Sequence, residues 1–201
     1  FSIFTRMQPA QWLDAYIPDF KVNDDNLNSY HEYSHLGVDS SGNFIVLWND
    51  VRRYPGEQYP SEIYCQRYNK NGSALGDNFK IVNQDSAALL DFTMLKDGRF
   101  IVAWSRTHID SVGYQRYELF FQRFDNNANF LSNPVRVIDS SFIVFFPVIL
   151  QGMSISCDDI GRFVICWSKG HDLGTKTQVF FQRYDSAGTR IGMVDSACEG
   201  S

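Results

Sequence analysis

Apolar residues alternate along several short segments of the chain, and in each segment both members of the alternation are apolar. In the segment 44–48, Phe44, Val46 and Trp48 alternate with Ile45 and Leu47. A period of two predicts a β-strand, and apolar residues on both sides predict a strand that is buried on both faces. No segment of useful length carries a capped stripe of period 3.6, so we expect little helix.

These strands belong to a repeat made of two sequence blocks. The first block, a turn, a strand and a tryptophan, occurs as DSSGNFIVLW (39–48), KDGRFIVAW (96–104) and DDIGRFVICW (158–167). The second block, a strand with Gln-Arg-aromatic and then a turn, occurs at 63–76, 119–132 and 179–192, with a degenerate copy, IFTRMQPAQWLD, at 3–14. Its arginine recurs at Arg6, Arg67, Arg123 and Arg183, at spacings of 61, 56 and 60 residues. Such regular spacing indicates a repeat architecture.

Each repeat is predicted to form four antiparallel strands. Asp, Asn and Gly at the turns tolerate positive φ and close tight hairpins between the strands. In the second unit we place the strands near 32–38, 43–48, 62–68 and 78–82. Four-stranded units that repeat at this length are typical of β-propeller blades, and a pair of β-sandwiches is the alternative. The propeller is preferred because identical neighbours in a ring explain why Trp and Gln-Arg-aromatic recur in phase.

The blade count is three and a half. The whole chain, 1–201, is expected to be one repeat domain with a half blade at 1–23 (its third and fourth strands) and blades at 24–83, 84–138 and 139–201. A half blade leaves unpaired strand edges and an open apolar face. Because the first residue is Phe rather than Met, we expect a processed or partial chain. A further protein chain, or a missing part of the same polypeptide, is expected to complete the ring.

The repeat resembles that of large secreted and surface-exposed bacterial proteins, which are often adhesin-like and propeller-shaped. The resemblance rests on Asp-x-x-Gly-x-Phe-(Val/Ile)-(Val/Ile)-x-Trp followed by Gln-Arg-(Tyr/Phe)-Asp-x-x-Gly, and it covers nearly the whole chain. It implies an extracellular protein with a role in adhesion, in a matrix or in ligand binding. Two departures are the run FIVFFPVIL (142–150) in the last unit and the missing Gln and turn Gly in the first.

Composition excludes several classes of partner. The net charge is −5 and the 18 basic residues are scattered, which argues against a nucleic-acid surface. The longest apolar run, Phe142 to Leu150, is interrupted by Pro147 and is far shorter than the roughly 20 residues of a membrane-spanning helix. The four cysteines lack the spacing of a zinc site, and Cys65 and Cys166 take the positions of core residues.

The long connections, between second and third strands and between one unit and the next, are expected on one side of the units, and the tight turns on the other. A local binding function is expected on the side of the long connections. Aromatic and polar side chains of these loops could stack on sugars and hydrogen-bond to their hydroxyls, although ordinary solvated loops are the preferred interpretation. The candidates are Arg52, Arg53, Tyr54, Tyr59, Arg106, His108, Asp110, Tyr114, Arg116, His171, Asp172 and Lys176. Within this set, His108 and His171 occupy equivalent positions with Asp110 and Asp172 close behind, so a metal or acid–base pair is a further alternative.

The remaining repeated residues are assigned to structure first. The tryptophans Trp48, Trp104 and Trp167 are expected to be core wedges between blades. The arginines Arg67, Arg123 and Arg183 are expected to bind backbone carbonyls or carboxylates of a neighbouring blade. The turn aspartates Asp39, Asp97, Asp158 and Asp159 are explained by hairpin closure, with calcium as the weaker alternative and no other cofactor expected.

Three functions are compatible with this sequence. The preferred one is a non-enzymatic extracellular module for adhesion, structural assembly or protein–protein interaction. A lectin-like module, which would bind surface glycans through the tyrosine-bearing loops, is the first alternative. A propeller glycoside hydrolase is the second. Enzymes come last because the sequence contains no G-x-S-x-G motif, and no carboxylate pair stands out from the turn aspartates.

Overall fold

The chain folds into consecutive four-stranded antiparallel sheets. The computed structural model describes residues 20–23, 30–51, 61–82, 87–113, 115–138, 142–143, 153–170 and 177–196. All regular structure in these ranges is β-strand. In each sheet, four strands follow one another in chain order as a simple meander. This is the architecture of β-propeller blades, as the repeat predicts.

The described strands form three sheets. Sheet 1 contains β1 (Tyr30–Val38), β2 (Phe44–Val51), β3 (Ser61–Tyr68) and β4 (Phe79–Lys80). Sheet 2 contains β5 (Ala87–Met94), β6 (Phe100–Ile109), β7 (Gln115–Phe124) and β8 (Val135–Arg136), with β9 (Phe142–Ile143) also paired to β7. Sheet 3 contains β10 (Met153–Cys157), β11 (Phe163–Gly170), β12 (Thr177–Tyr184) and β13 (Arg190–Ser196).

The strands of sheet 1 match the four strands predicted for the second unit, although β4 is only two residues long. The strand β9 lies in the inserted apolar run and extends sheet 2 by pairing with the start of β7. The sequence did not predict this pairing. Of the predicted half blade at 1–23, the structure describes only residues 20–23, which carry no strand.

The core consists of two apolar layers, one between each pair of neighbouring sheets. We call the side of a sheet that faces the next sheet along the chain its forward face, and the opposite side its rear face. The layer between sheets 1 and 2 contains forward residues such as Ile45 and Leu47 and rear residues such as Val102 and Trp104. The second layer lies between sheets 2 and 3 and is likewise formed by forward residues of one sheet and rear residues of the next. A sheet with neighbours on both sides needs apolar residues on both faces, which is why its strands are apolar throughout.

The repeated tryptophans lie on the rear faces. Trp104 and Trp167 are almost fully buried, at 0% and 2% exposure, and Trp48 is 5% exposed. Each indole ring stacks on the aromatic ring opposite it in the third strand of its own sheet, with centroids 5.9 to 6.3 Å apart. These stacked pairs give each sheet an aromatic rear surface, which in sheets 2 and 3 packs against the forward face of the preceding sheet.

Candidate functional site

Repeated polar contacts join each sheet to the next at the end of the tight turns. Arg67 donates a hydrogen bond from Nη1 to the backbone carbonyl of Asn126, 3.1 Å away, in the turn between β7 and β8. Arg123 donates in the same way to the carbonyl of Ala187, in the turn between β12 and β13. Burial in this contact lowers the pKa of the Arg123 guanidinium, which still remains a cation at neutral pH. Arg67 and Arg123 therefore each reach the third-to-fourth-strand turn of the following sheet.

Two polar side chains, the buried Asn49 and the half-buried Asp91, join neighbouring sheets near their first strands. The amide oxygen of Asn49 accepts a hydrogen bond from the backbone N–H of Leu89, 2.8 Å away. The carboxylate of Asp91 accepts one from the backbone N–H of Ile155 at 2.9 Å and another from the hydroxyl of Ser154 at 3.0 Å. Backbone N–H groups that would otherwise lack partners are thereby satisfied across the sheet-to-sheet boundary.

Asp91 of sheet 2 also lies beside His35 of sheet 1. Together with Ser154 of sheet 3, these residues form one polar row across the three sheets. The three residues occupy the same position in the first strand of their sheets. In the second strand, His35 pairs with Leu47, Asp91 with Ala103 and Ser154 with Cys166. The Nδ1 atom of His35 is 3.5 Å from Oδ1 of Asp91, and that oxygen also accepts from the N–H of Phe92. Both carboxylate oxygens are thus occupied by donors from the protein. The arrangement suits a contact that holds sheets together better than a general base.

The forward face of sheet 3 has the same residue pattern as the other two forward faces but lacks their burial. The four shared positions are Ile45, Leu47, Ile63 and Cys65 in sheet 1, Ile101, Ala103, Leu119 and Phe121 in sheet 2, and Val164, Cys166, Val179 and Phe181 in sheet 3. In sheets 1 and 2 no member is more than 3% exposed. Val164 and Val179 are 37% and 38% exposed, and Cys166 and Phe181 are half-buried.

An open groove marks this face next to Arg183. Its volume is about 530 Å³, and its lining includes Val164, Arg183 and Ile191. Between sheets 2 and 3 the equivalent space, beside Ile101 and Arg123, holds only about 10 Å³. Between sheets 1 and 2 it holds about 180 Å³. The groove is therefore the part of a sheet-to-sheet contact that a following sheet fills elsewhere in the chain.

The rear face of sheet 1 is contacted by the segment 20–23. The ring of Phe20 packs against Tyr68 with centroids 5.4 Å apart, and the backbone carbonyl of Val22 accepts a hydrogen bond from Asn78. On this face Tyr68 is 4% and Trp48 is 5% exposed. Of the two ends of the array, sheet 3 thus carries the more open face.

Most of the predicted loop candidates lie outside the described residues. The candidates outside the described residues are Arg52, Arg53, Tyr54, Tyr59, Tyr114, His171, Asp172 and Lys176. Arg116 is described only by its backbone pairing with His108. His108 Nδ1 is 3.7 Å from Glu118 Oε2. Asp110 closes the turn before β7 by accepting from the N–H of Val112. The proposed His–Asp pairs therefore stay predictions.

An ion pair occurs at this long-loop end in two of the sheets. Glu118 is 5% exposed and binds Arg136 of the neighbouring strand β8. The same positions in sheet 1 are occupied by Glu62 and Lys80, whose charged atoms are 2.7 Å apart. These pairs hold the short fourth strand of each sheet, because a two-residue strand has few backbone hydrogen bonds of its own.

The predicted turn aspartates Asp39, Asp97 and Asp158 accept from the backbone of their own hairpins, whereas Asp159 pairs with Lys96 of the neighbouring sheet. Asp185 accepts from the N–H groups of Thr189 and Ala187, and these hydrogen bonds lower the pKa of its carboxyl group. The Arg162 side chain is the main cause of the lowered pKa of Asp158. Within the described ranges no three His, Cys, Asp or Glu side chains form a group that could hold a metal ion. These contacts of Asp158 and Asp185 are those of hairpin closure, and the calcium alternative stays a prediction.

The glutamines of the Gln-Arg-aromatic block have a role that the sequence reasoning missed. Gln66 and Gln122 are buried, and their side-chain N–H groups bind the carbonyls of Gly76 and Ser132 at 2.9 and 2.8 Å. Gln182 binds the equivalent segment of sheet 3. These contacts anchor the connection to the fourth strand. The recurrence of these glutamines in phase was a clue in the sequence to their role. Such a clue was missing for Asn49, Asp91 and Glu118, because these residues are not repeated in all three units.

The two cysteines assigned to core positions differ in environment. Cys65 is fully buried, and burial raises the pKa of its thiol, so that the reactive thiolate is not populated at neutral pH. Cys166 is half-buried because it lies on the open forward face. Among the described residues, no helix is long and apolar enough to cross a membrane.

Comparisons with known proteins include a similarity to a solved structure. No protein-family model matches the chain, and no curated protein matches it. Among solved structures, the chain is similar to the crystal structure of endo-arabinase from Bacteroides thetaiotaomicron VPI-5482, with 14% identity and a TM-score of 0.42. The match covers 85% of this chain and 61% of that chain, so this chain spans less than two thirds of its length. The fold described above rests on the strand pairing itself.

Proposed function

We propose that this chain is a non-enzymatic repeat module for protein assembly and that the forward face of sheet 3 is its binding surface. The observation that carries the proposal is the exposure of Val164 and Val179 at positions that are buried in sheets 1 and 2. The resemblance of the repeat to secreted and surface-exposed bacterial proteins supports an extracellular setting and a role in adhesion.

The chemistry of the face supports protein binding. Apolar side chains gain about 25 cal/mol for each Å² removed from water, which favours covering the two valines and the half-buried Phe181. Arg183 stands at the position from which Arg67 and Arg123 bind a backbone carbonyl of the following sheet. An apolar centre with an arginine at its border is a common composition of protein interfaces.

A chain extended at its C terminus by a second copy of residues 87–138 tests this function. The appended copy offers the rear face of sheet 2, which packs on a forward face within the chain itself. If the forward face of sheet 3 binds a further sheet, the extension raises the melting temperature and slows alkylation of Cys166 by about tenfold or more. Alkylation is measured by mass spectrometry of the Cys166 peptide.

The matched control is the same extension with Phe100→Glu and Trp104→Glu made only in the appended copy. These charges disable the rear face of the copy and leave the forward face of sheet 3 unchanged. We expect Cys166 in the control to react as fast as in the 201-residue chain. Equal protection by both extensions, or by neither, would contradict the proposed function.

A further inference from the structure

We infer that the forward face of sheet 3 binds a fourth sheet of the same repeat, and that Arg183 recognises the third-to-fourth-strand turn of that sheet by an aspartate at its first position. The inference rests on the proposed assembly function and adds the kind of partner. Arg183 is exposed, whereas Arg67 and Arg123, at the same position of sheets 1 and 2, are half-buried against the following sheet. Within the described ranges, no following turn lies against Arg183.

Both turns that receive an arginine begin with an aspartate. Asp125 begins the turn that binds Arg67, and Asp185 begins the turn that binds Arg123. Burial acts against it, but hydrogen bonds within the turn lower the pKa of the Asp125 carboxyl group, and the Arg67 cation lowers it further. The Asp185 carboxylate in turn acts against the lowering of the Arg123 pKa that burial causes. Attraction between opposite charges therefore supports each hydrogen bond to a turn carbonyl.

The shape of these turns also suits the arginine. The fourth residue, Ala128 or Gly188, is small, and a Cβ added to Gly188 would lie 3.2 Å from Cδ of Arg123. The space beside Arg123 is accordingly filled to about 10 Å³, whereas the groove beside Arg183 holds about 530 Å³. A turn of the same kind therefore offers Arg183 an acceptor and fills the groove.

Sheet 1 of a second copy does not meet these requirements. Its turn begins with Asn69, which accepts from two backbone N–H groups as the turn aspartates do but is neutral. Its rear face is also covered, since Trp48 and Tyr68 are buried and Phe20 packs on Tyr68. The partner is therefore a sheet with an open aromatic rear face and an aspartate turn, as sheet 2 has.

The chain extended by a second copy of residues 87–138 tests the inference, because the copy contains Asp125. Docking of the copy is measured as the factor by which it slows alkylation of Cys166. We expect Arg183→Met to reduce this protection factor about fivefold or more, because a hydrogen bond from a charged donor is lost. The same substitution in the 201-residue chain is the control and should leave the alkylation rate unchanged.

Asp125→Asn, made only in the appended copy, tests the charge of the turn. Asn69 closes its own turn with a side-chain amide oxygen, so the substituted turn should keep its shape. The protection factor should fall about twofold to fivefold. This fall should vanish when Arg183→Met is also present and persist with Arg183→Lys, which keeps the cation. The matched control is Asp110→Asn in the copy, which removes the same charge from a turn at the opposite end of the sheet.

Three results would overturn the inference and leave the proposed assembly function standing. The first is unchanged protection of Cys166 by the appended copy when Arg183→Met is present. The second is an equal effect of Asp125→Asn with and without Arg183→Met. The third is protection of Cys166 that rises with the concentration of the 201-residue chain, which would identify a second copy as the occupant. If the unsubstituted extension does not protect Cys166, the proposed function is contradicted and the inference falls with it.

Discussion

At the scale of single residues, each repeat is held by a small set of polar side chains that close turns and join sheets. The first residue of each described third-to-fourth-strand turn, Asn69, Asp125 or Asp185, accepts from the N–H groups two and four residues later. The fourth residue of the same turn has positive φ, and it is Gly72, Ala128 or Gly188. Two of these three residues are glycine, and Ala128 is the exception. The Cβ atom of alanine makes this left-handed conformation unfavourable.

Replacing Ala128 with glycine should stabilise the protein. Ala128 has a φ of 64°, a conformation that glycine adopts without a steric penalty. We expect Ala128→Gly to raise the free energy of unfolding by about 1 kcal/mol, less the contribution of the methyl group that packs on the core. Chemical denaturation of the two proteins measures the difference.

The reverse substitution is the control for this prediction. Gly188 has a φ of 85°, and an added Cβ would lie 3.2 Å from Cδ of Arg123. Gly188→Ala should therefore destabilise the protein by about 1 kcal/mol or more. Equal and small effects at both turns would show that backbone strain at this position does not limit stability.

At the scale of elements, the environment of a strand depends on its place in the array more than on its own sequence. The segments 119–124 and 179–184 differ at only two of six positions, yet Phe121 is fully buried and Phe181 is half-buried. Phe121 contacts the rings of Phe163 and Tyr184 in the next sheet, at centroid distances of 5.0 and 4.7 Å.

This difference predicts unequal costs for the same substitution. Phe121→Ala leaves a cavity between sheets 2 and 3 and should lower the free energy of unfolding by about 3 to 5 kcal/mol. Phe181→Ala should cost less than half as much when measured by denaturation at a concentration where the chain is monomeric. Similar costs at the two positions would contradict the difference in burial between the two forward faces.

Much of the strand pattern could be predicted from the sequence, because alternation and turn residues are local. The tight hairpins and the first three strands of sheet 1 follow from them. The pairing of β9 with β7 could not be predicted, since it joins an inserted segment to a strand across a long connection. The contacts of Asn49 and Asp91 were also hidden, because their partners are backbone groups of another repeat.

At the scale of the whole molecule, the chain is an array in which each described sheet packs on its sequence neighbours. Stability in such arrays is close to a sum of sheet and interface terms. Sheet 2 has a neighbouring sheet on both sides, whereas sheet 3 has one on its rear face alone among the described residues. The middle sheet should therefore be the most stable part of this chain.

Amide hydrogen exchange should reveal this order. In a monomeric sample, we expect the backbone N–H groups of β6 and β7 to exchange through openings of higher free energy than those of β11 and β12. Mass spectrometry of peptides from the two sheets measures the rates. Uniform protection, or slower exchange in sheet 3, would mean that the array unfolds as one unit. Addition of the appended copy of residues 87–138 should raise the protection of sheet 3 alone.

The sequence by itself determined the repeat, the strand pattern and the blade as the unit of the fold, because hydrophobic alternation and turn chemistry act over short distances. It also pointed to the arginines as groups that reach a neighbouring blade. Only the tertiary structure decided which faces of these equivalent strands are covered. Val164 has the same place in its repeat as Ile45 and Ile101, and burial of such a residue depends on whether another sheet lies against it, which the local sequence does not encode.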